Sequence, residues 1–213
     1  MRRSLLFAAL FALGSAAAAR AADIPIDQVS LPAPSGRAVH VKFPVGELRV
    51  EAATGNRVTL ELTARCKGWN TDRCEENARE IEIESDVSGG TLDLDVKNYP
   101  KFHANGFHLR GVLRIPSDLD LKIDMGVGDL EIRDVDGDLS VDLGVGDADI
   151  QARTRAVRSV EVSAGVGDAD VIAGGSRVRR HGFVGSSASW DEGRGRSSVN
   201  LHVGVGDATV RID

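Results

Sequence analysis

Apolar and polar residues alternate in short runs that recur along the second half of the chain. Leu121, Ile123, Met125 and Val127 form one run, and Leu139, Val141, Leu143 and Val145 the next. Val160, Val162, Ala164 and Val166 follow, and Val199, Leu201, Val203 and Val205 close the series. A period of two marks a strand with one buried face. Each run passes through the same tetrapeptide, Gly-Val-Gly-Asp, at 126–129, 144–147, 165–168 and 204–207. A worn copy, Phe183-Val184-Gly185-Ser186, lies in the longest gap. The second glycines Gly128, Gly146, Gly167, Gly185 and Gly206 are therefore 18, 21, 18 and 21 residues apart. A fainter relative, Pro44-Val45-Gly46-Glu47, stands near the start.

After each Gly-Asp pair the alternation resumes one residue out of phase, at Leu130 and Ile132, Ala148 and Ile150, Ala169 and Val171, then Ala208, Val210 and Ile212. A slip of one turns the opposite face inward unless the backbone bends there. Glycine allows the bend and aspartate can accept backbone N–H bonds beside it. Each unit reads as strand, corner, short strand and polar turn. Repeats of this length predict an all-β, single-chain parallel β-solenoid with rungs of about 18–21 residues. A β-sandwich of hairpins is the alternative. The solenoid predicts that Val127, Val145, Val166, Val184 and Val205 stack inside, one per rung, about 4.8 Å apart.

The first half is strand-rich and less regular. Arg57-Val58-Thr59-Leu60-Glu61-Leu62 and Thr91-Leu92-Asp93-Leu94-Asp95-Val96 alternate, and a turn or two of helix is expected around Asp72 to Arg79. One domain over 22–213 is expected, irregular over 22–115 and regular over 116–213. Glycine numbers 24 and the aromatics are few, so the core is expected to be built of small and β-branched side chains.

Met1-Arg2-Arg3, a short apolar run and Ala19-Arg20-Ala21 read as a secretory signal peptide over 1–21 with an A-x-A cleavage site. The apolar run is about ten residues, too short for a spanning helix. No transmembrane segment is expected after cleavage, and an exported, periplasmic or cell-surface protein is. Loss of Arg2, Arg3 and Arg20 takes the formal charge from −6 to about −9, which argues against a nucleic-acid partner. Two cysteines in an exported chain suggest a Cys66–Cys74 disulfide stapling an inserted loop.

The run Leu113-Arg114-Ile115-Pro116, Leu119-Asp120-Leu121-Lys122-Ile123 and Gly126-Val127-Gly128-Asp129-Leu130-Glu131-Ile132 resembles the bacterial "putative adhesin" family of unknown-function domains. The resemblance spans about 36–213 and is specific from Ile115 onward. It implies a β-solenoid in a bacterial envelope and brings no catalytic residues.

Candidate chemistry is sparse. Gly-Val-Gly is followed by a strand each time, not by the helix N-terminus a phosphate-binding loop needs. Asp129, Asp147, Asp168 and Asp207 are expected near one corner, with Glu131, Asp149 and Asp170 in a second outward column and Asp124 with Asp142 in a third. The corner carboxylates are read as caps on turn N–H groups, with a calcium ladder as the alternative. Arg153, Arg155 and Arg158, then Arg177, Arg179 and Arg180, then Arg194 and Arg196 fall in the turns opposite and suggest a basic edge that meets water or an anionic partner. His103 and His108 make a weak metal signal beside aromatics that form a contact patch or plug one end. No catalytic residues, cofactor or metal are assigned. The expected function is a non-catalytic envelope binding or structural module, with a carbohydrate-active solenoid enzyme as the alternative. An envelope protein or glycan is the expected partner. Self-association through the C-terminal end is the other possibility, because Val210 and Ile212 leave no polar cover before Asp213.

Overall fold

The computed structural model describes residues 23–66, 71–100, 106–179 and 185–213. The leader expected over 1–21 lies outside them. The first part holds β1 (Asp23–Pro32), β2 (Ala38–Ala53), β3 (Arg57–Cys66), helix α1 (Thr71–Arg79), β4 (Glu82–Ser88), β5 (Thr91–Lys97) and β6 (Phe107–Pro116). The repeats give β7 (Asp120–Arg133), β8 (Leu139–Val145), β9 (Ala148–Ala152), β10 (Val157–Val166) and β11 (Ala169–Ala173). The rest is β12 (Ser176–Arg179), β13 (Ser186–Trp190), β14 (Ser197–Val205) and β15 (Ala208–Ile212). All fifteen strands join one mixed sheet, so the fold is all-β.

The pairing separates into two ladders that meet along the glycine corners. Before the corner, the front half of β2 pairs in parallel with β7, β7 with β8, β8 with β14 and β14 with β10. After it, the back half of β2 pairs with β7, then β9, β15 and β11 follow in the same order. β5 and β6 form one more such row on the other side of β2, one in each ladder. At both ends the final row runs backward. β4 is antiparallel to β5 and β3 to β6, while β13 is antiparallel to β10 and β12 to β11. Antiparallel end rows close a parallel stack without a crossover, and the serine-rich β13 leaves a polar edge. β1 adds one strand outside β3.

Stacking therefore does not follow sequence order. The last repeat, β14 and β15, inserts between the second and the third. This overturns the expected C-terminal open end. β15 has neighbours on both sides, and the N–H of Asp213 donates to the Ala152 carbonyl at 3.0 Å. Repeats that share one motif satisfy each other's edges equally well, so the motif alone cannot fix which copy lies beside which. The worn copy around Gly185 belongs to the reversed end row, and its N–H bonds the Gly165 carbonyl at 2.9 Å.

One apolar core runs between the ladders. Leu121, Ile123 and Met125 enter it from the first half of β7, and Leu130 and Ile132 from the second. The phase slip read from the sequence is thus real. The interior valine stack is not. Val127, Val145, Val205 and Val166 are 45%, 46%, 48% and 51% exposed. They do lie in parallel register, as Val127↔Val145, Val145↔Val205 and Val205↔Val166. The bend starts one residue earlier than the alternation suggests, at the first glycine of each motif. A Cβ on Gly144 would sit 2.6 Å from the Gly126 carbonyl oxygen. The neighbouring row's backbone lies against the corner glycine, and the valine is turned out. Val184 lies outside the described residues.

The disulfide Cys66–Cys74 forms, with Cα atoms 5.9 Å apart, and ties the end of β3 to α1. Ala78 and Ile81 bury that segment against the core. The helix is where the reversed row β3–β4 turns its corner, so the disulfide replaces the glycine motif at that end.

Candidate functional site

Gly128, Gly146, Gly206 and Gly167 have φ of 137°, 135°, 134° and 132°, a region open essentially to glycine alone. Each would drive an added Cβ into the carbonyl oxygen of the glycine beneath it. At two of the corners the aspartate that follows caps the next row. Asp147 Oδ1 accepts the Asp207 N–H at 2.9 Å, and Asp207 Oδ1 accepts the Asp168 N–H at 3.0 Å. Asp129, Asp147, Asp207 and Asp168 therefore do form one column, in the structural order rather than the sequence order. Among the described residues, no group of three or more His, Cys, Asp or Glu side chains is placed to hold a metal ion.

The exposed valines form a ridge along the corner, with a shallow trough on either side. The trough over the second ladder, about 890 Å³, is lined with charges, including Glu47, Arg49, Arg110, Glu131, Asp149 and Arg211. These pair across strands. Arg110 donates to Glu47 at 2.8 and 2.9 Å, Arg49 to Glu131 at 2.8 Å, and Arg211 bonds Asp149. Partial burial works against the Glu131 charge, but hydrogen bonding from Arg133 and the nearby Arg49 outweigh it and hold the carboxyl below the ordinary range. Of the second acidic column, Glu131 and Asp149 line this trough, whereas Asp170 is buried. The β11–β12 hairpin brings Arg177 within 3.9 Å of it.

The trough over the first ladder, about 560 Å³, is lined by Lys42, Asp95, Asp124, Asp142 and His202 among others. His40 lies two residues before Lys42 on β2 and bridges two carboxylates, with Nδ1 3.0 Å from Asp93 and Nε2 2.7 Å from Asp124. Desolvation opposes the Asp124 charge, yet the His40 bond and Lys122 keep its carboxyl below the ordinary range. Asp142, His202 and Ser163 follow one another on adjacent strands. Ser163 Oγ lies 2.9 Å from His202 Nδ1, and among the described residues no carboxylate hydrogen-bonds the other ring nitrogen. Without that bond nothing orients the imidazole as a base for the serine. Sequence reading missed His40 and His202 because their partners lie 53, 84 and 39 residues away. Only the strand register brings them together.

Of the arginines expected on a basic edge, Arg153 pairs with Asp136 and Arg177 approaches Asp170. Arg155, Arg158, Arg194 and Arg196 are exposed. Arg180 and His103 lie outside the described residues. His108 is exposed, and Phe107 is buried with Tyr99 edge-on to it at 5.7 Å between centroids. Phe107 belongs to the core, and Tyr99 packs against it.

Two parallel ladders folded over glycine-aspartate corners define an all-β repeat protein with a mixed sheet. The chain belongs to the family described as the N-terminal domain of toast_rack, DUF2154, which matches residues 35–182. The resemblance to bacterial adhesin-like domains of unknown function holds. Comparison with curated proteins gives no match. Among solved structures, the chain is similar to a putative cell adhesion protein from Clostridium sporogenes, with 16% identity and a TM-score of 0.49 over 89% of this chain and 100% of that one. It is similar to a putative adhesin from Bacteroides fragilis at 10% identity and a TM-score of 0.28, over 88% and 97%. At this level the likeness says nothing about binding or activity. Among the described residues no helix is long and apolar enough to cross a membrane.

Proposed function

We propose that the protein is a non-catalytic, exported cell-envelope module of adhesin type, built as a short β-solenoid that meets an envelope protein or glycan through its outer faces. The observation that carries this reading is how the outward charges are used. Glu47, Glu131, Asp149, Asp93 and Asp124 are engaged by arginine or histidine neighbours across the strands. Carboxylates engaged in this way stiffen a surface and set its electrostatics. They do not stand free in a cleft as the acid and base of a glycosidase do. The troughs are broad and shallow, as suits a macromolecular partner rather than an enclosed small substrate. The Cys66–Cys74 bridge and the basic, apolar leader support export to an oxidising compartment.

The test combines processing, binding and turnover. Mass spectrometry of the periplasmic and surface fractions is expected to find a protein beginning near Ala22. That protein should co-sediment saturably with isolated bacterial envelopes and release no reducing ends from acidic polysaccharides. Sustained release of reducing ends overturns the non-catalytic reading, and retention of Met1 in the exported fraction overturns the leader.

A further inference from the structure

Four arginines converge at the far end of the first ladder, where the loop that leads into β14 lies against the start of β10. The loop reads Gly193-Arg194-Gly195-Arg196 and its support reads Arg155-Ala156-Val157-Arg158. Backbone hydrogen bonds fasten one to the other. The N–H groups of Gly193 and Gly195 donate to the carbonyls of Arg158 and Val157, and those of Arg196 and Ser197 to the Ala156 carbonyl, at 2.9–3.2 Å. Both glycines are packed so closely that an added Cβ would enter the carbonyls of Ala156 and Val157. The loop is therefore held in place rather than loosely draped.

This arrangement sets Arg194 and Arg196 directly beside Arg155 and Arg158. Hydrogen-bonded segments lie about 4.8 Å apart and successive Cα atoms about 3.8 Å, so the four Cα atoms fall within roughly 10 Å. The register between β10 and β14 shifts between Val157 and Ser159, which leaves Arg158 at a bulge. Bulges re-aim side chains away from the ladder. All four residues are exposed, and none makes an ion pair among the described residues. Asp191 and Glu192 precede the loop and are also exposed, and neither pairs with these arginines. Several arginines elsewhere on the molecule are matched to carboxylates, as Arg49, Arg65, Arg110 and Arg211 are. Here like charges are forced together in a chain whose formal net charge is −6.

We infer that this seam is an anion-binding site for a ligand carrying adjacent phosphate groups, independent of the envelope role proposed above. A guanidinium presents a planar fork that matches the oxygens of phosphate. Compact, doubly charged groups neutralise four crowded cations more fully than isolated carboxylates do. The acidic remainder of the surface repels anions and so directs them to this one seam.

The probes are sodium pyrophosphate, followed by titration calorimetry, and vesicles of equal parts phosphatidic acid and phosphatidylcholine, followed by flotation. Pyrophosphate is expected to bind saturably and more weakly as salt rises. The variant R155Q/R158Q/R194Q/R196Q is expected to lose at least tenfold in affinity with an unchanged urea midpoint, since the side chains are exposed. Flotation with the vesicles identifies a lipid headgroup as the source of phosphate, and pyrophosphate binding without flotation identifies a soluble one. Failure of the unaltered protein to bind either probe overturns the site. Equal binding by the quadruple variant, or tighter binding to polygalacturonate than to pyrophosphate, does so too.

Discussion

Replacing Gly146 by alanine attacks the corner at its most crowded point. Gly146 has φ of 135° and lies between Gly128 and Gly206 in the stack. An L-residue there carries a backbone strain of about 1–3 kcal/mol. Its Cβ also collides with the Gly128 carbonyl oxygen, and forced overpacking adds about 1–3 kcal/mol. If the corner moves to relieve the collision, the 2.9 Å bond from Gly146 N–H to the Val205 carbonyl is weakened, at about 1 kcal/mol. The expected loss is about 3–7 kcal/mol. With a urea dependence of about 2 kcal/mol per molar, the unfolding midpoint falls by roughly 1.5–3.5 M. Gly174→Ala is the control, since Gly174 also has positive φ, at 54°, but no atom lies within 4 Å of an added Cβ. It is expected to cost about 1–2 kcal/mol. Equal losses at the two positions would show that backbone conformation alone matters and that the corners are not in contact.

Other consequences are as direct. Val145→Asp places a charge on the exposed ridge and is expected to cost under about 1 kcal/mol, whereas Leu143→Ala, two residues earlier and 1% exposed, is expected to cost about 2–5 kcal/mol. The reverse ranking in urea titrations would mean that the valines face inward. Asp124 and Glu131 titrate below their ordinary values of 3.8 and 4.5 in the folded protein. As the pH falls, protons therefore bind the unfolded chain first. Stability is expected to be level above about pH 5 and to decline below about pH 4.5, less steeply in His40→Ala. A midpoint that rises on acidification contradicts that. Removing the disulfide with Cys66→Ala and Cys74→Ala together is expected to lower stability by about 2–3 kcal/mol. A midpoint in the intact protein that is indifferent to reductant would show that the bridge constrains nothing.

The strands were legible because burial alternates along them. Leu139, Val141 and Leu143 announced β8, and the slip from Met125 to Leu130 announced the corner. The direction of the corner valines was not legible. Alternation assumes a straight strand, and the bend that breaks it begins at Gly126, where an added Cβ would meet the Pro44 carbonyl oxygen of the neighbouring row at 2.3 Å. The order of the rows was hidden for a different reason. Gly-Val-Gly-Asp marks a corner but carries no address, so copies at Gly146 and Gly206 look alike while one is inserted beside the other. Irregularity in the first half had a topological cause. β3, α1 and β4 form a row that runs backward, and its corner is a helix and a disulfide. That the aspartates share one corner was legible because the motif repeats, but which N–H each caps was not, since Asp147 caps Asp207 and Asp207 caps Asp168, 60 and 39 residues away. His40 between Asp93 and Asp124, and the arginine seam at 193–196, depend on which distant segments meet.

Row order is the claim on which the valine ridge, the aspartate column and the arginine seam all rest, and scalar couplings across backbone hydrogen bonds measure it directly. Nuclear magnetic resonance on the labelled protein is expected to show coupling from the Gly146 amide nitrogen to the Val205 carbonyl carbon, and from Gly206 to Val166. Coupling from Gly146 to the Val166 carbonyl instead would mean that the copies stack in sequence order, and would contradict the inserted last repeat.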